Sequence, residues 1–214
     1  PKRTQAVGAF ADLLWFPTGG GKTEAYLGVA AYSIAIRRLQ GYIDGYAGDG
    51  GVTVVMRYTL RLLTLQQFQR ATTLVCAMEQ LRLEDPIRWG TEPFRIGLWV
   101  GGSSTPNTTF EANKWVNENK GAHDWDSGNR SASPLQLTNC PWCGSRLRPD
   151  NVTVELYKSG RGRTFVHCRG KDCAFSKRQN PDGLPVLTVD EEIYRLLPTF
   201  LLATVDKFAQ MPWR

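Results

Sequence analysis

No stretch of the 214-residue sequence is long and apolar enough to span a bilayer. The longest apolar run, residues 25–36, is too short and carries Tyr and Ser, so a buried helix accounts for it better than a membrane segment. Nor is there an apolar leader with a cleavage site at the start, which leaves the cytoplasm as the expected compartment and no membrane partner. An initiator Met is missing as well: the chain opens Pro1-Lys2-Arg3 and ends at Trp213-Arg214, and it reads as a piece of a longer protein. No internal repeat is apparent, which argues against a solenoid. What is present is ordinary globular material, 42% hydrophobic and 21% charged, enough for one large domain or two small ones.

The formal charge of +6 is concentrated. Residues 140–180 hold nine Lys and Arg (146, 148, 158, 161, 163, 169, 171, 177, 178) against three acids (150, 155, 172), so this segment alone carries +6 and the remainder is balanced. A local basic excess is what a phosphate-backbone contact requires, although a solvated surface would look the same by charge alone.

Hydrophobic patterning along the chain predicts an alternation of strands and helices. Residues 13–16 form a short apolar run that ends in Pro17 and glycines, as a buried parallel strand would. A helix follows from Lys22 to Arg38, with Gly41 as its cap, and a glycine-rich loop spans 45–51. Residues 52–56 read as a strand. Residues 59–82 read as a long helix, with Leu60, Leu63, Phe68, Ala71, Leu74, Val75, Met78 and Leu81 at spacings of three and four. Pro86 closes it, and 94–100 is the next strand. This is the grammar of an α/β fold, a parallel sheet with crossover helices. It breaks at residue 103, where Ser, Thr, Asn, Gly and Pro take over, and resumes with 184–189, 193–197 and 200–205. Three segments are therefore expected: 1–102, an insertion over 103–183, and 184–214 as the continuation of the first.

The sharpest local signal is Thr18-Gly19-Gly20-Gly21-Lys22-Thr23 between a predicted strand and a helix. Glycines let backbone amides turn inward around phosphate oxygens, and the helix amino end adds a positive dipole. In such a loop Lys22 reaches the β- and γ-phosphates of ATP and the Thr23 hydroxyl coordinates Mg²⁺. The longer pattern with a leading glycine is not met, because Phe16 stands in that position. A glycine turn that merely starts a helix is the plainer account, and three glycines followed by Lys-Thr weigh against it.

Cys140-Pro141-Trp142-Cys143-Gly144 is a metal-binding knuckle, and Cys168 and Cys173 form a second pair. Strand-like sequence at 152–157 and 163–166 lies between them, room enough for a hairpin. Four thiolates complete tetrahedral Zn²⁺ and leave no open position, so the site is expected to be structural, a zinc ribbon over 140–173. Disulfides are the poorer account in a chain without a secretory leader. His167 reads as a neighbour of the ligands, and Cys76 as a small packed hydrophobe. Because the basic charge lies on and around the ribbon, with Trp142 and Phe175 among it, the ribbon is a candidate nucleic-acid contact.

With residues 13–28, 56–68 and 201–209 in view, the chain resembles the superfamily 2 helicases, and more narrowly the helicase-like proteins of the bacterial DISARM anti-phage systems. That resemblance implies a RecA-like (P-loop) sheet with helices on both faces, interrupted by the inserted four-cysteine zinc ribbon. It assigns 18–23 to the nucleotide and 57–67 to the nucleic-acid backbone through Thr59 and Arg61. Gly101 and Gly102 would be the family's paired-glycine turn, and Thr204 a further nucleic-acid contact. The acidic motif that holds Mg²⁺ and positions water would follow Thr204, beyond the end of this chain. Asp190-Glu191 after an apolar run mimics that motif but precedes Thr204, and reads instead as an acid cluster opening a helix.

The function expected is the ATP-binding part of a DNA or RNA helicase or translocase, with other subunits of a defence complex as possible partners. A second domain must supply residues across the γ-phosphate, so this chain alone is expected neither to unwind DNA nor to turn over ATP. The alternative is a zinc-ribbon nucleic-acid-binding module whose phosphate loop is vestigial. A small-molecule kinase is weaker, because no acceptor-binding lid is identifiable.

Overall fold

The computed structural model of the chain describes residues 21–58, 65–121, 132–158 and 160–210. The predicted strand over 13–16, the loop residues Thr18, Gly19 and Gly20, and the contacts expected of Thr59 and Arg61 lie outside the described residues.

The apolar run after Lys22 is helix α1 (Lys22–Gln40), which ends at Gly41 with the Gly41 N–H bonded to the Arg38 carbonyl. The glycine-rich stretch is partly ordered as a two-stranded antiparallel ribbon, β1 (Tyr42–Ile43) and β2 (Tyr46–Ala47). Then come β3 (Val54–Tyr58), α2 (Leu65–Glu84), a single-turn α3 (Pro86–Trp89) and β4 (Ile96–Trp99). Pro86 does more than end the preceding helix. It occupies the first turn of α3, where a missing N–H costs nothing, and the Asp85 side chain accepts from Arg88 N.

Residues 103–121, where the predicted alternation breaks, contain α4 (Thr109–Asn119). Thr108 and Glu111 form a reciprocal capping box, and the buried face is only Thr109, Ala112 and Trp115. Beyond it lie β5 (Val152–Leu156), β6 (Gly162–Val166), β7 (Val186–Leu187), α5 (Asp190–Leu196), β8 (Phe200–Thr204) and α6 (Val205–Gln210). No helix among the described residues is long and apolar enough to cross a membrane.

Strands β3, β8, β4 and β7 pair side by side in that order, all parallel. The two inner strands β8 and β4 are buried at every residue. Their side chains alternate between two cores. Phe200, Leu202, Ile96 and Leu98 pack with Ala30 and Ile34 of α1 and Phe68, Ala71 and Val75 of α2. Leu201, Ala203 and Trp99 pack on the other face with Ile193 of α5 and Phe208 of α6. This is the both-faces burial that parallel sheets need, and each fully buried Phe or Leu stabilises by roughly 1.5–3 kcal/mol. Gly97 matters to it: a Cβ there would lie 2.7 Å from Pro198 Cγ, so only glycine lets the β7–β4–β8 face close against Pro198.

The long helix departs from its expected face in one respect. Leu81 is exposed, whereas Glu79 and Arg82 are buried. The two form a bidentate pair (2.6 and 2.9 Å), and Glu79 also accepts from Phe94 N at 2.8 Å. Arg38 of α1 completes the cluster, donating to the Trp89 and Glu92 carbonyls with its guanidinium 4.2 Å from the Phe94 ring centre. Burial lowers the Arg38 pKa, while the hydrogen bond to Glu79 raises that of Arg82.

Candidate metal centre and strand-end edge

The Cys140–Cys143 pair belongs to a tight turn closed by Gly144 N on the Cys140 carbonyl and by Cys140 N on the Ser145 carbonyl. The second pair is held by Cys168 N on Phe175 O and by Ser176 N on Cys173 O. Between the two turns runs the antiparallel hairpin β5–β6, with Val152 opposite Val166 and Leu156 opposite Gly162. Zipping this hairpin is what carries the second turn back onto the first.

As a result the sulfurs of Cys140, Cys143, Cys168 and Cys173 all lie within 4.8 Å of one another. Cys140 and Cys173 are 3.8 Å apart, and Cys143 and Cys168 are 3.4 Å apart. All four are free thiols, at separations far beyond a disulfide bond of about 2.05 Å. Thiolates ~2.3 Å from a tetrahedral ion sit ~3.8 Å apart, so the four residues can hold a metal ion.

Electrostatics agree. Burial pushes the Cys140 thiol up, and it pushes the Cys173 thiol up to about 11. At Cys143 burial acts in the same direction, but hydrogen bonds from Ser145 and the facing thiols outweigh it and bring the group down to about 6. A cation held among the four sulfurs would offset that burial and favour their thiolate forms. His167 is turned away from the cluster, with Nε2 2.7 Å from the Pro181 carbonyl and its ring stacked on Phe165. Cys76 is fully buried on α2 and its thiol is pushed up by that burial, as a packed hydrophobe would be.

The first cysteine turn rests on α2. Gln69 Nε2 donates to Asn139 O at 3.0 Å and the Thr73 hydroxyl to Pro141 O at 3.4 Å. The buried residues of the ribbon, Leu147, Val152, Val166 and Phe175, belong to the same apolar cluster as the α1 and α2 face of the sheet.

A second grouping lies at the carboxyl ends of the strands. Tyr58, the last residue of β3, is in register with Thr204 at the end of β8, and Trp99 at the end of β4 with Ala203. Thr204, which closes β8, and Gly101 with Gly102, which follow β4, thus lie at adjacent strand ends. Both glycines are exposed and Thr204 is buried. The start of α1 reaches the end of β3, where Tyr26 and Tyr58 line one pocket, and Glu24 in its first turn forms an ion pair with Arg70 of α2. Gly21 precedes α1 with φ of 76°, a left-handed value that favours glycine, and no side chain caps the helix. Lys22 is exposed and Thr23 half-buried there.

The acids at 190–192 open helix α5, as expected, and all three face inward. Asp190 pairs with Lys207 at 2.5 Å, both buried. Glu191 accepts from Thr109 N and Oγ1 at 3.0 and 3.2 Å, fastening α5 to the amino end of α4. Glu192 pairs with Arg163 and accepts from Thr164 N at 2.7 Å. Sequence reasoning did not anticipate these links, since each joins residues at least 17 apart along the chain.

No family model matches the chain. It is similar to the DISARM protein DrmA of Bacillus paralicheniformis, 41% identical over 206 residues, which cover 94% of this chain. The chain spans 18% of the length of that protein.

Proposed function

We propose that this chain is the ATP-binding part of a superfamily 2 motor that acts on nucleic acid in anti-phage defence, within a cytoplasmic complex. The observation that carries the reading is the start of α1: three glycines lead into Lys22-Thr23, and the last of them, Gly21, adopts a left-handed turn before an uncapped helix end. Such an end is electropositive and offers amides to an anion. In this reading residues 18–23 cradle the triphosphate, Lys22 contacts its β- and γ-oxygens, and Thr23 holds Mg²⁺.

The parallel sheet with helices on both faces supports a RecA-like assignment. Its strand order supports the nucleic-acid track, because Thr204 closes β8 and Gly101 and Gly102 follow the end of its neighbour β4; in this reading Thr59 and Arg61 contact the same nucleic-acid backbone. Segment 103–183 is an insertion: the chain leaves the sheet after β4 and returns as β7, in register beside β4 at Ile96 and Val186. Within it, four thiolates form a closed zinc site that holds two turns together and leaves no position for a water. ATP turnover needs residues from a further domain, so the chain alone binds nucleotide without appreciable hydrolysis.

Titration of the chain with a fluorescent ATP analogue and Mg²⁺ tests the reading against Lys22→Ala. A loss of affinity of about tenfold or more is expected, the effect of removing a charge-assisted phosphate contact. Equal affinity would overturn it and leave a zinc-ribbon binding module with a vestigial phosphate loop.

A further inference from the structure

The nine cations of 140–180 are not equivalent once folded. Arg163 is buried against Glu192, and Arg169 faces Asp150 at 3.8 Å while donating to the Asp150 carbonyl. Both are occupied in holding the hairpin to its surroundings. Lys171, Lys177 and Arg178 differ: all three are exposed, and none forms an ion pair among the described residues. They sit together, since Lys171 lies inside the second cysteine turn, and Arg178 follows that turn and donates to the Lys171 carbonyl at 3.4 Å.

An aromatic side chain stands at the same end. Trp142, inside the first cysteine turn, is 45% exposed. It meets the wholly buried Phe175 edge-on, with ring centres 5.8 Å apart and planes at 78°. Phe175 fixes the indole from below and leaves part of it open to solvent. Because Phe175 is only two and three residues before Lys177 and Arg178, the open ring and the cations share the metal-binding end. One exposed acid, Asp172, accompanies them.

We propose that this end of the ribbon, made by Trp142, Lys171, Lys177 and Arg178, binds single-stranded nucleic acid, the cations contacting phosphates and the indole stacking on a base. A fixed, half-open aromatic ring amid exposed cations suits a strand whose bases are free to stack, and duplex bases are already stacked on one another. Nucleic-acid binding there requires no ATP. The surface is also rigidly placed, because the first cysteine turn is bonded to Gln69 and Thr73 of α2. Electrostatics alone would allow the three cations a different role, offsetting the negative charge of a four-thiolate metal centre. That role predicts loss of metal, and the two are separable.

The test is fluorescence anisotropy of the chain with labelled oligothymidylate, oligouridylate and a DNA duplex, at several salt concentrations, without nucleotide and with bound metal quantified in each variant. Trp142→Ala should weaken single-strand binding by about tenfold with Trp142→Phe largely restoring it, as base stacking predicts. Combined K171A, K177A and R178A should weaken it further and reduce the slope of log affinity against log salt by about 2, at ~0.7 per phosphate contact. Lys22→Ala should leave it unchanged, so failure of the nucleotide reading would not affect this one. The two oligonucleotides report whether DNA or RNA is preferred. Unchanged single-strand binding in these variants, equal binding of duplex, or binding lost only in proportion to lost metal would overturn the proposal.

Discussion

At Glu79 one carboxylate meets two buried demands, the Arg82 guanidinium and the Phe94 amide. Removing it leaves an uncompensated cation and an unsatisfied N–H in an enclosed place. Glu79→Ala is therefore expected to destabilise the chain by about 3–5 kcal/mol, measured as a shift in the urea midpoint. Gly97 carries a steric demand instead. With Pro198 Cγ 2.7 Å from where a Cβ would be, Gly97→Ala should cost about 1–3 kcal/mol by the same measurement. At Glu191 two readings diverge. Its carboxylate is engaged by Thr109 N and Oγ1, so Glu191→Gln should lower stability by about 1 kcal/mol and leave Mg²⁺-ATP affinity unchanged. Rapid ATP hydrolysis by the chain that disappears in Glu191→Gln would make this residue part of the catalytic machinery.

Among the elements, α4 is the instructive case. Its buried face is narrow and its sequence polar, so hydrophobic periodicity gives little sign of it. The signal that does mark it is the Thr108-x-x-Glu111 box, which supplies the first-turn amides with partners. Thr108→Ala should cost about 1 kcal/mol, and because α4 packs on β5 and β6, the loss should appear as faster amide exchange in that hairpin. Strands β3, β4 and β8 were legible from their apolar runs, whose lengths suit buried strands. Strand β7 lies inside the expected apolar run 184–189, whereas α6 directly after β8 was not separable from its surroundings by pattern alone.

For the molecule as a whole, the ribbon and the sheet share one apolar cluster, and the first cysteine turn is bonded to α2. Metal removal should therefore be felt beyond the ribbon. Chelation, or Cys173→Ser, is expected to lower the thermal midpoint of the entire chain in one transition rather than release a separate small one. A midpoint for the sheet that is unaffected by chelation would mean that the two parts are energetically independent.

The primary sequence by itself determined which residues could be chemical partners. Closely spaced cysteine pairs mark two ends of one four-thiol cluster, glycines before Lys22-Thr23 are the signal on which the proposed phosphate loop rests, and apolar runs mark strands, because each is a property of short stretches of chain. Tertiary structure alone decided which strands became neighbours. Setting β8 between β3 and β4 pairs residues more than a hundred positions apart, and only packing on both faces of the sheet selects that order. It likewise decided which cations are available: Arg163 and Lys177 look alike as letters, but one is buried against Glu192 and the other faces water. Burial and pairing depend on what the rest of the chain brings alongside, and no local stretch contains that information.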